Sequence, residues 1–383
     1  MMADVILWCS VALVIYAYLG YPCALLALAA IRTRPVRKGR ELPLVSFIIT
    51  AHNEDNRIAA KIENTLAQDY PVDRHEIIVA SDCSTDRTDA IAGGYAPRVR
   101  LVRTAERHGK EAAQRLAIEA SRGDILVFSD VATALAPGGV SSLVRNFSDA
   151  TVGCVSSVDR SVDAAGRVSG EGAYVRYEMF LRRLETAVNS LVGLSGSLFA
   201  ARRDVCRRWA ADRQSDFSTL LNAVELGYRG VLDPDSVGYY SNIDDERREF
   251  QRKVRTVVRG LAVLASNARM LNPLRYGIFA WQLASHKLCR WLVPFAMIAA
   301  LVSNAALAPS SVVYELMLAL QLSFYAAALG GLRTRSAALR IPAFLLLVNV
   351  AALTAWIRYV RGQRIIAWTP SERTPLPQIP LRG

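Results

Sequence analysis

Short apolar runs recur along the chain, and each breaks off into an acidic, hydroxyl-rich turn. Phe47-Ile48-Ile49 leads into Thr50-Ala51-His52-Asn53-Glu54, Ile77-Ile78-Val79 into Ser81-Asp82-Cys83-Ser84-Thr85-Asp86, and Ile125-Leu126-Val127-Phe128 into Ser129-Asp130. Between the runs the period lengthens. Ile58, Ile62 and Leu66 repeat every four residues up to Tyr70-Pro71, and Ala113, Leu116, Ala117 and Ala120 mark another helix face. Ser84 or Thr85 is placed to cap a helix with Asp86 in its first turn. This alternation predicts an α/β domain over residues 42–240, a mostly parallel sheet flanked by helices. Such sheets bind ligands at the carboxyl ends of their strands, so the acids at those turns are the candidate chemistry.

The two ends of the chain follow another pattern. Val5 to Ile31 carries no charge and exceeds the roughly 20 residues that cross a bilayer, which predicts a transmembrane helix in segment 1–33. The start lacks a basic region and the apolar stretch runs long, so it reads as an anchor rather than a cleaved signal. Arg32, Arg34, Arg37, Lys38 and Arg40 follow at once, which sets residue 32 onward in the cytoplasm. Trp291 to Tyr314, Leu316 to Leu332 and Ile341 to Ile357 predict three more spans within 291–383, with Ala308-Pro309-Ser310-Ser311 as a tight outer loop and Arg333, Arg335 and Arg340 in an inner one. Strict alternation then exports the tail, against the preference of Arg358, Arg361 and Arg364 for the inside. Segment 241–290 reads as amphipathic, interfacial helices, with Phe250, Val254, Val257, Leu261 and Leu264 as the apolar stripe.

Composition adds little that these segments do not explain. The chain of 383 residues is 52% hydrophobic and carries a net charge of +12. Many basic residues flank apolar spans, so anionic lipid and an anionic nucleotide account for the charge, and no nucleic-acid reader motif accompanies it. Six cysteines lack CxxC or metal-ligand spacing, and no disulfide framework is expected. Neither GxGxxG nor GxxxxGK[ST] occurs.

From Val45 to about Gly260 the motifs resemble, in order, those of the inverting family-2 glycosyltransferases, which include cellulose, chitin and hyaluronan synthases. Thr50-Ala51-His52-Asn53-Glu54 stands where the family has Pro-Ala-Tyr-Asn-Glu, and Ser81-Asp82-Cys83-Ser84-Thr85-Asp86 resembles its Asp-Asp-Gly-Ser-Thr-Asp, with Cys83 for the glycine. The resemblance implies a GT-A (Rossmann-like) fold with transmembrane helices, in which Asp82 holds the uridine base and Ala51, Asn53 and Glu54 adjoin it. His108-Gly109-Lys110 matches the family's Gly-Lys, whose lysine lies near the nucleotide. Asp130-Val131-Ala132 matches Asp-x-Asp with the second acid missing, leaving Asp130 to hold Mg²⁺ or Mn²⁺ with more ligands from water and phosphate.

Gly193 to Arg202 resembles the Gly-rich strand beside the sugar. Ser215-Asp216-Phe217 fills the place of the Glu-Asp motif, which nominates Asp216 as the general base that takes the acceptor's proton. Arg252-Lys253-Val254-Arg255-Thr256 lies in the register of Gln-x-x-Arg-Trp; Arg252 and Arg255 are thereby assigned to the diphosphate, and Thr256 stands for the tryptophan that holds acceptor in processive synthases. The resemblance implies a multi-pass enzyme of a bacterial-type inner membrane, its catalytic domain cytoplasmic. It would transfer a hexosyl or N-acetylhexosaminyl group from a UDP-sugar to a glycan or lipid-linked acceptor in polysaccharide biosynthesis, alongside export partners. Ala132, Cys83 and Ser215 leave a second reading, a catalytically degenerate scaffold subunit of a polysaccharide assembly.

Overall fold

The computed structural model describes residues 1–162, 173–241, 246–334, 336 and 338–363. Arg335 and Arg364 lie outside them. The described residues divide into two units, one within residues 32–244 and a second built from Met1–Ile31 and residues 245–364.

In the first unit the apolar runs become strands of one sheet with the order β3-β2-β1-β4-β7-β6-β8-β5. The strands are β1 (Val45–Ala51), β2 (His75–Ser81), β3 (Val99–Arg103), β4 (Ile125–Asp130), β5 (Ala134–Leu135), β6 (Val152–Val162), β7 (Leu198–Arg202) and β8 (Arg229–Ser241). The helices of this unit used below are α1 (Ile58–Leu66), α2 (Thr88–Gly93), α3 (Lys110–Ala120), α4 (Ala173–Val188) and α5 (Ser215–Glu225). The first four strands are parallel, β7 runs antiparallel to both β4 and β6, and the sheet is therefore mixed. The alternation of strands and helices covers both faces. Phe47, Ile49, Val79 and Val127 enter one core, Ile48, Ile78, Leu126 and Phe128 the other. Burial on both faces is why these strands read as unbroken apolar runs.

The far end of the sheet is held by an ion pair. Arg229 Nη2 lies 3.1 Å from Asp149 Oδ2, and Arg229 Nη1 donates to the Arg34 carbonyl at 2.8 Å. Burial opposes ionisation of Asp149, but hydrogen bonds from the Thr151 hydroxyl and amide, the Arg37 amide and Arg229 outweigh it and bring the pKa to about 2. A folded pKa below the ordinary 3.8 means that the stabilisation is complete above pH 4 and lost as pH falls through 2. It amounts to about 2 kcal/mol. Melting of the full chain in detergent between pH 5 and 2 checks this: Asp149→Asn is expected to melt lower at pH 5 and to show a shallower fall with acid than the parent.

Among the described residues the second unit holds four helices long and apolar enough to cross a membrane, Met2–Ile31, Ile278–Ser310, Val312–Thr334 and Arg340–Val360. The second begins well ahead of Trp291, because Ile278 to Leu283 already forms helix and continues through a π-helical stretch at Ala284–Cys289. A matching π-helical stretch, Tyr16–Gly20, interrupts the first helix. Tyr16 Oη lies 2.7 Å from Ser285 Oγ and accepts from Trp281 Nε1 at 2.9 Å, polar contacts that tie the two helices together. Glu246–Ser266 forms the expected amphipathic helix and packs on Arg340–Val360. Its buried stripe is Val254, Val258, Leu261 and Leu264; Val258 takes the inward position expected of Val257, because the i, i+4, i+7 row from Val254 passes through it.

Candidate active site

The carboxyl ends of β1, β2 and β4 meet at one sheet edge, where Ala51 pairs with Ser81 and Thr50 with Asp130. The Ala51 carbonyl accepts from the Asp82 amide at 2.9 Å. Beyond it Asn53 and Cys83 both take left-handed backbone, at φ 53° and 52°. Asparagine tolerates that conformation, and the position of Cys83 explains the glycine its counterparts carry. The two turns are bound to each other: the Asn53 amide donates to Ser84 Oγ at 3.2 Å, and Asn53 Oδ1 accepts from the Thr85 amide at 2.8 Å. The hydroxyls of Ser84 and Thr85 are thus engaged across the turns and cap no helix. Helix α2 starts later, at Thr88, whose amide donates to Asp86 Oδ1 at 2.9 Å, and its first-turn acid is Asp89.

Asp82, which the resemblance assigns to the nucleoside base, follows the end of β2. It is fully buried and accepts from the amides of His108 and Gly109 at 2.9–3.0 Å, through both oxygens. Gly109 adopts φ 96°, which a side chain would resist, and so completes the turn that starts α3. Asp82 therefore shapes the entry to the helix whose first residue is Lys110.

Lys110 reaches back over the end of β4. Its Nζ lies 2.5 Å from Asp130 Oδ1 and donates to the Gly196 carbonyl at 2.9 Å. The Lys110 side chain is 9% exposed and that of Asp130 24%, so the pair is shielded but open on the carboxylate side. Asp216, in the first turn of α5, accepts from the Phe217 amide at 2.8 Å and from Gln214 Nε2 at 3.2 Å. A Cβ on Gly196 would stand 3.1 Å from Asp216 Oδ2, so the missing side chain is what lets the loop before β7 approach that carboxylate. One loop residue thus touches Lys110 through its carbonyl and faces Asp216 through its Cα.

Two titratable groups sit beneath this edge. Burial raises the Glu54 carboxyl to about 7 against the attraction of Arg57, whose Nε donates to Glu54 Oε2 at 2.7 Å. Burial likewise lowers the Lys61 ammonium to about 7, opposed by the charge of Asp130. Lys61 Nζ donates to Ser129 Oγ at 2.7 Å and to the Thr133 carbonyl at 2.6 Å, clamping both ends of the turn that carries Asp130 and Ala132. Lys61 was not among the candidates read from the sequence, although a lysine directly before Ile62 on the inward stripe of α1 was visible. Neither was Asp159, which accepts from the hydroxyls of Ser195 and Ser197.

Ala51, Asn53, Glu54, Asp82, Lys110, Asp130 and Asp216 all belong to the first unit. Arg252 and Arg255 lie in the second, on Glu246–Ser266. Arg252 is paired within its helix to Glu249, at 2.7 and 2.8 Å. Burial and the neighbouring Arg259 and Arg252 lower the pKa of Arg255. Among the described residues no three histidine, cysteine, aspartate or glutamate side chains cluster as a metal site.

Residues 46–209 match the family described as Glycosyl transferase family 2. The β-monoglucosyldiacylglycerol synthase of a Nostoc species is 25% identical over 222 residues, 54% of this chain and 46% of the relative. The succinoglycan biosynthesis protein ExoO of Rhizobium meliloti is 27% identical over 223 residues, 53% of this chain and 62% of the relative. This chain thus spans less than two thirds of either. In fold it resembles the mannosyltransferase PcManGT of Pyrobaculum calidifontis, solved with GDP-Man and Mn²⁺, with a TM-score of 0.72 and 23% identity over 94% of this chain and 99% of that one.

Proposed function

We propose that the protein, whose residues 46–209 match the family 2 glycosyltransferases and whose described residues include four helices long and apolar enough to cross a membrane, transfers a hexosyl or N-acetylhexosaminyl group, with inversion, from a UDP-sugar to a glycan or lipid-linked acceptor. The work would be done on the cytoplasmic side of a bacterial inner membrane, in polysaccharide or glycolipid synthesis. The observation that carries this reading is the loop at Gly196, which meets the Lys110–Asp130 pair on one side and the Asp216 carboxylate on the other. A cation fixed beside a carboxylate suits a diphosphate leaving group, and a second carboxylate suits proton removal from the acceptor hydroxyl.

In this reading Asn53 and its partner turn form the wall against the nucleoside, and Asp82 acts by holding the turn that starts α3. Lys110 neutralises charge on the departing diphosphate, and Asp216 takes the proton from the attacking hydroxyl. Mg²⁺ or Mn²⁺ fits Asp130 through one oxygen: Lys110 occupies Oδ1, while Oδ2 has no hydrogen-bond donor among the described residues. Ala132 offers no second carboxylate, so the diphosphate and water would fill the remaining positions. When bound, the cation would draw negative charge from the leaving group.

The full chain in detergent, incubated with Mn²⁺ and UDP-glucose, UDP-N-acetylglucosamine or GDP-mannose in turn, tests the reading by release of nucleoside diphosphate. One UDP-sugar is expected to be hydrolysed slowly without acceptor, and chelation with EDTA to stop it. Preference for GDP-mannose would refute the UDP assignment. No turnover together with no binding of UDP or GDP would leave the scaffold reading in its stead.

A further inference from the structure

We infer that Asp159 is a positioning residue: it fixes the loop Ser195–Ser197 and thereby sets the spacing between the Lys110–Asp130 pair and Asp216. The inference rests on the glycosyltransferase reading for its kinetic half alone. Its structural half stands on the hydrogen bonds. The loop touches all three groups. The Gly196 carbonyl accepts from Lys110 Nζ at 2.9 Å, the Ser197 carbonyl accepts from the Asp130 amide at 3.0 Å, and Gly196 Cα faces Asp216. None of the three residues carries an apolar side chain; between the buried Leu194 and Leu198 that flank them, their own side chains hold the loop by polar contacts.

Those contacts converge on one carboxylate. Ser195 Oγ donates to Asp159 at 2.7–2.8 Å and Ser197 Oγ at 2.6 Å. Ser195 Oγ in turn accepts from the Ser197 and Leu198 amides, at 3.2 and 3.3 Å, so Asp159 orients a hydroxyl that orders the backbone into β7. A second tie comes from α4. Arg182 Nη2 donates to Ser156 Oγ at 2.6 Å and to the Gly193 carbonyl at 3.1 Å, and Ser156 Oγ accepts from the Ser195 amide at 2.7 Å. Two hydroxyls from a loop of three residues thus end on the same carboxylate. Asp159 itself sits toward the end of β6, which runs parallel to β4 because both are antiparallel to β7; it therefore stands at the same sheet edge as the other strand-end acids.

A base displaced by about 1 Å costs roughly 100-fold in rate, whereas the turns proposed to face the nucleoside are tied to each other, Asn53 to Ser84 and Thr85, and not to this loop. The full chain in detergent is compared with Asp159→Ala and Asp159→Asn. For Asp159→Ala, kcat is expected to fall roughly 10- to 100-fold while affinity for UDP falls far less. Asp159→Asn retains an acceptor oxygen and is expected to recover most of the loss. Hydrogen exchange at the amides of Ser197, Leu198 and Asp130 is expected to quicken in Asp159→Ala. Ser195→Ala, a milder change, gives the same pattern should Asp159→Ala fail to fold.

Unchanged exchange in this loop, or unchanged kcat in a chain that is active, overturns the inference. So does a loss of UDP affinity equal to the loss of kcat, which would make Asp159 part of the donor pocket. A parent chain that turns over no sugar nucleotide refutes the function instead, and the exchange measurement then decides alone whether Asp159 holds the loop.

Discussion

Asp216→Asn is expected to lower kcat for sugar transfer about 1,000-fold while leaving UDP affinity and thermal stability close to those of the parent. The substitution is nearly isosteric. Asn keeps an oxygen to accept from the Phe217 amide, so the first turn of α5 retains its local hydrogen bond. What is lost is the capacity to take a proton, and a general base contributes between 10² and 10⁴ in rate. Gly196 is the companion test. A methyl there would press on Asp216 Oδ2 from 3.1 Å, so Gly196→Ala is expected to lower kcat as well, by displacing a base that is still chemically intact. Release of UDP in the presence of native membranes as acceptor source, measured beside calorimetric UDP binding, separates these outcomes. An Asp216→Asn protein with parental kcat would remove Asp216 from the base role.

The domain and its strand-end edge were legible because burial on both faces leaves strands such as β1 as continuous apolar runs. A further acid at that edge was hidden. Asp159 also ends an apolar stretch, Val155 to Val158, but Ser156 and Ser157 interrupt it, and both serines are buried with partners that only the fold supplies. Asp82 was legible as a site acid, but its partners were not, since the amides of His108 and Gly109 come from a turn 26 and 27 residues later. Cap positions failed for a related reason. Ser84 and Thr85 have the right chemistry to cap a helix, yet the left-handed turns at Asn53 and Cys83 bring the two loops together and take those hydroxyls first. Local propensity is a weak prior wherever a side chain has a better tertiary partner.

Lys110→Met is expected to lower kcat by 10²- to 10³-fold, the scale seen when one fixed charge stabiliser is removed from a transition state. Lys110 is held at both ends of its reach, by Asp130 at 2.5 Å and by the Gly196 carbonyl at 2.9 Å, so its charge is prepaid in position. The same contacts predict how its loss combines with that of its partner. Lys110 and Asp130 act as a unit, so the double variant Lys110→Met with Asp130→Asn is expected to lose less than the product of the two single losses. The cation dependence should separate from the rate. The ammonium occupies Asp130 Oδ1 and repels a divalent ion, so Lys110→Met is expected to reach half-maximal activity at a lower Mn²⁺ concentration although its maximum is reduced. Steady-state rates across a Mn²⁺ series for the parent, the two single variants and the double variant supply every term. Additive losses with an unchanged Mn²⁺ requirement would mean that Lys110 and Asp130 serve separate groups on the donor, and that the ion pair is only a structural neighbourhood.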